Sequence, residues 1–140
     1  MVEILRGRVE SGENDASKWL SLFNHEYSRK LGMPVFPGSL NLRLGRRFDW
    51  LAPHYQPHII TFGKSEYGGE RDILLLPCAL VTCGRRPAFL WTAIHPTLGV
   101  GEVEVVEIVA DVKLRDAYRL TDGSVVEVEL DLTTPGAGRS

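Results

Sequence analysis

A mainly β fold, closed or nearly closed into a small barrel, is predicted by three observations. Six or more short apolar-alternating segments run along the chain, only one long helical stripe accompanies them, and 140 residues is the size of a single domain. Strands do not alternate with long helices, so the βαβ units of a doubly wound sheet are missing.

Residues Val2 to Val9 read as the first strand, and Ser11-Gly12-Glu13-Asn14-Asp15 as a loop able to cap a helix. The helix carries Ala16, Trp19, Leu20, Phe23, Tyr27 and Leu31 at helical spacing, and Gly32 followed by Pro34 stops it. After Pro37-Gly38, residues Ser39 to Leu44 alternate as a half-buried strand does. Further strands are predicted at 57–62, 71–82, 88–94, 103–109 and 124–130. Tyr67-Gly68-Gly69-Glu70 and Asp122-Gly123 are the turns, and Val112 to Arg119 makes two turns of helix. Thr133 to Ser140 has no apolar anchor, so residues 1–131 are read as one domain and 132–140 as a flexible tail.

Composition excludes several classes. With 44% hydrophobic and 24% charged residues the chain is an ordinary globular protein. A net charge of −2 gives no cationic field for a polyanion or an anionic membrane. No apolar run reaches the ~18–20 residues that span a bilayer, and the start has no signal-peptide pattern, so a cytoplasmic protein is expected. Two cysteines, Cys78 and Cys83, are too few for a disulfide framework.

Most short motifs fall to simpler readings. Gly63-Lys64-Ser65 ends like a P-loop, but His58 stands where the first glycine belongs and Glu66-Tyr67-Gly68-Gly69 is turn-forming. Gly99-Val100-Gly101 begins a dinucleotide fingerprint that Glu104 interrupts, so it reads as a loop. His54, His58, Cys78 and Cys83 have zinc-ligand chemistry, but Pro57 opposes the helix that would align the histidines, and the cysteines diverge. His95 has no local Ser or Asp partner pattern, and Arg46-Arg47 and Arg85-Arg86 read as solvated loop charges. Ser39 and Asn41 are more informative. Two apart on a strand, they present a hydroxyl and an amide oxygen on one side, hard ligands of the kind Mg²⁺ takes beside substrate phosphates; polar strand residues after a turn are the bland alternative.

The order Gly7-Arg8-Val9-Glu10-Ser11-Gly12, a helix ending in Leu31-Gly32, then Pro37-Gly38-Ser39-Leu40-Asn41-Leu42 resembles the CTP-dependent riboflavin kinases known from archaea. Val105 to Ala110, Lys113-Leu114-Arg115-Asp116 and Leu120 to Val126 extend the resemblance over residues 4 to about 130. It implies a six-stranded cradle-loop barrel, with CTP and riboflavin as substrates in adjoining pockets and CDP and FMN as products. By the same resemblance Ser39 and Asn41 would hold Mg²⁺, and Glu107 would contact the flavin and orient or deprotonate its hydroxyl. Gly12 and Val112, Lys113, Leu114 and Arg115 would meet the nucleotide. No nucleic acid or membrane partner is implied, and oligomeric state is left open.

Two departures from the family pattern are visible. Its Gly-x-Gly-x-Gly-like phosphate loop reads Gly12-Glu13-Asn14-Asp15-Ala16-Ser17 here, keeping only the first glycine and adding negative charge. A flavin-contacting Thr is replaced by Gly99, beside Val100 in place of an aromatic residue. An alternative therefore stands beside the kinase: a flavin- or nucleotide-binding barrel, a sensor or carrier, that has lost transfer. A third reading, a nucleic-acid-binding barrel built on the Leu120 to Leu130 hairpin, is opposed by the net charge.

Overall fold

The structure, a computed structural model, describes residues 1–12 and 15–133. Seven strands run β1 (Val2–Glu10), β2 (Leu40–Asp49), β3 (Ile60–Phe62), β4 (Ile73–Leu80), β5 (Arg86–Ala93), β6 (Glu102–Val109) and β7 (Val125–Asp131). The helices are α1 (Asp15–Leu22), α2 (Asn24–Leu31), α3 (Lys64–Tyr67) and α4 (Leu114–Ala117). All named strand pairings are antiparallel, in the order β3-β4-β5-β6-β2-β1-β7, and a further β4–β7 pairing closes six strands into a barrel with β3 outside the ring. The predicted six-stranded barrel is thus present, with one strand added.

Strand β1 has the inside-outside period of two that closure demands: Leu5, Gly7 and Val9 are buried while Arg6 and Arg8 are exposed. On β7 the inward residues are Val126, Val128 and Leu130. Strand β4 is different. Leu74 and Leu76 point into the barrel, whereas Ile73 and Leu75 join a second core with Ala16, Leu20, Tyr27, Trp91 and Val109. Helices α1 and α2 therefore cover the outer face of the β4-β5-β6 wall. A strand buried on both faces reads as a continuous apolar run, which is what Ile73-Leu74-Leu75-Leu76 is. Across the outer core Trp91 Nε1 donates to Tyr27 Oη at 3.0 Å, satisfying two polar atoms that burial would otherwise penalise.

The structure corrects several boundaries. The single long helix is two helices of eight residues, interrupted at Phe23 (φ −120°, ψ 33°). Asn24 uses its side-chain Nδ2 to reach the Val35 carbonyl at 2.7 Å, the local competition that makes Asn a residue of helix ends. The strand expected from residue 57 begins only at Ile60, because Pro57 has no N–H to give a ladder and sits in a 3₁₀ turn over Gln56–His58. The helix expected over 112–119 is the single turn Leu114–Ala117, and Arg119 just beyond it takes a left-handed φ of 54°. After Gly63 the chain does make one helical turn, where a turn without helix was expected. Its first N–H groups are occupied by the protein's own carboxylates, Gly63 N donating to Glu66 at 2.7 Å and Lys64 N to Asp72 at 2.8 Å. A phosphate has no place there.

At the far end of the barrel Glu3 accepts from Tyr55 Oη (2.7 Å) and contacts Arg46 and His54. Burial raises the Glu3 carboxyl, but these partners outweigh it and hold the group below its ordinary value of 4.5. A lowered folded-state value stabilises the protein above the unfolded value and stops doing so as pH falls through the folded one. Melting temperature should therefore fall as pH drops below about 4.5, and Glu3→Gln should flatten that fall; an unaltered acid limb in the variant would remove Glu3 as a cause.

Candidate active site

The site lies on one face of the barrel wall, where β2 and β6 run side by side. Asn41 stands directly opposite Glu107 on β6 and Glu10 on β1, and Glu107 in turn opposite Trp91 on β5. The register thus sets Glu10, Asn41, Glu107 and Trp91 in one row across four strands. Asn41 is only 5% exposed. Ser39, two residues before it and just outside the strand, donates its hydroxyl to Glu107 Oε1 at 2.9 Å. The same carboxylate oxygen accepts the Ala16 N–H at 3.1 Å, so Glu107 sits over the first turn of α1, where negative charge is favoured. Gly12, at the exit of β1, packs over this row: a Cβ there would lie 3.4 Å from Asn41 Nδ2.

Beside the row opens a cavity of about 220 Å³. Its wall contains Ser39, Val112, Lys113, Leu114 and Arg115, together with Ser17 from α1 and Phe36 and Gly38 from the segment before β2. Phe36 is held there by its N–H to the Ala110 carbonyl at 2.9 Å. Complete small-molecule sites run to roughly 300–1,000 Å³, so this cavity is smaller than a whole site of that kind. Lys113 begins α4 and has Asp116 at 3.7 Å, while Arg115 Nη2 reaches Asp122 Oδ1 at 2.8 Å and Ser11 Oγ at 3.3 Å.

Every residue expected at the site from the sequence therefore falls in this one region. Ser39 and Val112 to Arg115 share the cavity wall, Glu107 and Asn41 share the adjoining row, and Gly12 abuts Asn41. The expected loop from Gly12 to Ser17 is corrected in part: from Asp15 onward the chain is helical, and Ala16 is fully buried in the outer core. Glu13 and Asn14 lie outside the described residues. Sequence reasoning gave no site role to Ser17, Phe36, Gly38 or Asp122, although Ser17, Gly38 and Asp122 stand in the phosphate-loop, Pro37–Leu42 and Asp122-Gly123 turn segments it singled out.

A larger groove of about 620 Å³ lies on the outer face of β1, β2 and β7 and contains Arg6, Arg8, Arg43 and Arg46. Arg43 is paired to Glu10 (2.7 Å) and Glu104 (3.5 Å), Arg46 to Glu3, and Arg6 to Glu127 at 4.0 Å. That face is a ladder of cross-strand ion pairs. Among the described residues no cluster of three or more His, Cys, Asp or Glu could hold a metal, and no helix is long and apolar enough to cross a membrane. Cys78 and Cys83 are free, and burial pushes the Cys78 thiol up to about 12, against the effect of a backbone hydrogen bond at Leu90.

Residues 9–130 match the family model CTP-dep_RFKase, described as a domain of unknown function, DUF120. The chain is 36% identical over 139 residues to a riboflavin kinase of Pyrobaculum aerophilum, covering 90% of this chain but 60% of that protein. It is 31% identical over 128 residues to a riboflavin kinase of Aeropyrum pernix, covering 91% and 95%. A riboflavin kinase of Methanocella arvoryzae is 31% identical over 130 residues, with 91% of this chain and 57% of that protein covered. The chain thus spans under two thirds of the first and third of these relatives and nearly all of the second.

Proposed function

The chain belongs to the CTP-dependent riboflavin kinase family, and from that premise we propose that it transfers the γ-phosphoryl group of CTP to the 5′-hydroxyl of riboflavin. The 5′-oxygen forms the new P–O bond, the bond from the γ-phosphorus to the β–γ bridging oxygen breaks, CDP departs, and the hydroxyl proton passes to a base. Phosphoryl transfer asks a protein mainly for positioning and for positive charge against the phosphates. Lys113 and Arg115 at the cavity wall supply that charge.

The observation that carries the reading is the hydrogen bond from Ser39 to Glu107. A hydroxyl that gives its only proton to a carboxylate turns its lone pairs elsewhere, the form in which it can face a cation. Ser39 Oγ and Asn41 Oδ1 are hard neutral oxygens fitted to Mg²⁺, which commonly takes one or two protein oxygens and fills its shell with water and phosphate. When bound, Mg²⁺ would neutralise charge on the phosphates. Glu107 then has two tasks, fixing the Ser39 hydroxyl and orienting the ribityl hydroxyl, whose proton its carboxylate can accept.

Purified protein incubated with riboflavin, Mg²⁺ and each of the four triphosphates in turn should yield FMN, detected by chromatography, with CTP the best donor. The early start of α1, with Ala16 buried where a glycine-rich phosphate loop would run, favours the second reading of a binding barrel without transfer. Riboflavin binding with no FMN from any triphosphate would establish that second reading and refute the first. If the Mg²⁺ assignment holds, Ser39→Ala and Asn41→Ala should each raise the half-saturating Mg²⁺ by about tenfold, the loss of ~1.4 kcal/mol of binding, with melting curves preserved. Unshifted Mg²⁺ titrations in both variants would refute it.

A further inference from the structure

Asp122 carries a contact set that the proposed reaction has not used. Its carboxylate accepts the Ser11 hydroxyl at 2.8 and 3.0 Å and Arg115 Nη2 at 2.8 Å, and Arg115 Nη2 also lies 3.3 Å from Ser11 Oγ. Three separate segments meet in this cluster: the exit of β1 just before Gly12, the helix α4 that lines the cavity, and the turn leading into β7. That turn is itself fixed. Gly123 N–H donates to the Val9 carbonyl (2.7 Å), Val9 N–H to the Ser124 carbonyl (2.9 Å), Thr121 N–H to Ser124 Oγ (2.9 Å), and Arg8 Nη1 to the Gly123 carbonyl (3.1 Å). Gly123 takes φ +90° in this turn, and the Asp122 carboxylate beside it reaches Ser11 at the end of β1.

Stability does not account for the cluster. The Asp122 side chain is 61% exposed and that of Arg115 31%, and ion pairs at such sites contribute about 0–1 kcal/mol. Orientation does. Arginine has five N–H donors on a flexible stem, and these contacts engage one nitrogen, Nη2, turning the rest of the fork in a set direction before any ligand arrives. A guanidinium ordered in advance loses less side-chain freedom on meeting a phosphate.

We propose that Asp122 is a positioning residue for the triphosphate: anchored on the β7 turn, it holds the Arg115 guanidinium and the Ser11-Gly12 corner together across the cavity mouth. The proposal rests on the reading of residues 112–115 as nucleotide contacts. Its opposite is also physical, since a carboxylate beside a polyphosphate could simply compete for Arg115, and the two differ in sign. Calorimetry with CTP in the presence of Mg²⁺, and separately with riboflavin, should be run on the full chain and on Asp122→Ala, Asp122→Asn, Arg115→Ala and the Asp122→Ala/Arg115→Ala double variant.

Asp122→Ala should weaken CTP about five- to tenfold while riboflavin affinity stays within about twofold, as expected for the loss of pre-ordering of one side chain. Asp122→Asn, which keeps the shape and an acceptor for Ser11, should lose less. Arg115→Ala should weaken CTP more than riboflavin, and adding Asp122→Ala to it should cost nothing further, because the aspartate acts through the arginine. In turnover the loss should fall on KM for CTP rather than on kcat. Tighter or unchanged CTP binding by Asp122→Ala, an equal loss for riboflavin, or a full second loss in the Arg115→Ala background would each overturn the proposal while leaving the kinase reading intact. A wild-type chain that binds no triphosphate would overturn both.

Discussion

Replacing Glu107 by alanine should cut FMN formation by about two to four orders of magnitude, the range spanned by loss of a positioned acid or base. Two effects combine. The carboxylate that would orient the riboflavin hydroxyl is gone, and so is the acceptor that holds both the Ser39 hydroxyl and the Ala16 N–H. Glu107→Gln separates them, because an amide oxygen still accepts from Ser39 and Ala16 but is a far weaker base. If proton acceptance matters most, Gln should be nearly as slow as Ala; if placement matters most, Gln should keep most of the activity. Single-turnover assays with saturating riboflavin read the difference, and an alanine variant within tenfold of wild type would remove Glu107 from the reaction.

Gly7→Ala should destabilise the fold by about 2–3 kcal/mol, at the upper end of what forced overpacking costs. The reason is the approach of β1 to β2. A Cβ at residue 7 would lie 2.5 Å from the Arg43 carbonyl oxygen and 2.8 Å from Leu42 Cγ. The first of these is backbone in the paired strand, so no side-chain rotation relieves it, and β1 must shift away from β2 along the pairs that also set Glu10 beside Asn41. The melting temperature should drop by roughly 10 °C for a domain of this size. Gly45→Ala is the control, since a Cβ there meets nothing within 4 Å; equal melting temperatures for the two variants would refute the steric argument.

Period-two alternation carried most of the barrel in the sequence. Leu5 and Val9 inward with Arg6 and Arg8 outward is a pattern that local sequence states and the sheet obeys. What alternation cannot state is which strands meet. Nothing near Ala79 or Leu80 announces a partner in Glu129 and Val128, and nothing near Asn24 announces the distant carbonyl of Val35 that ends one helix and begins another. The candidate site divides in the same way. Ser39 and Asn41 were legible together because same-side spacing on a strand is local, whereas Glu107 entered only through family resemblance, since its relation to them is a cross-strand register. Asp122 reads in the sequence as a residue that precedes a turn glycine, and its contacts with Ser11 and Arg115 exist only after β1 and β7 have paired. Family resemblance puts Ala16 in a loop and the apolar stripe with Leu20 puts it in a helix; the stripe is the better guide, because Ala16 is buried in the outer core.

The closing strand has a consequence for biosynthesis. Strand β7 lies between β1 and β4, pairing with β1 along Val2 to Arg8 and with β4 at Ala79 and Leu80, while β3 pairs with β4 at Ile73 to Leu75. As the chain leaves the ribosome, β1 through β6 emerge before the strand that covers these two edges. Until it arrives, β1 offers a long row of unpaired amides and carbonyls, the kind of edge that recruits strands from other molecules. Arg6 and Arg8, charged side chains projecting outward from β1, are then placed to discourage such pairing during that interval.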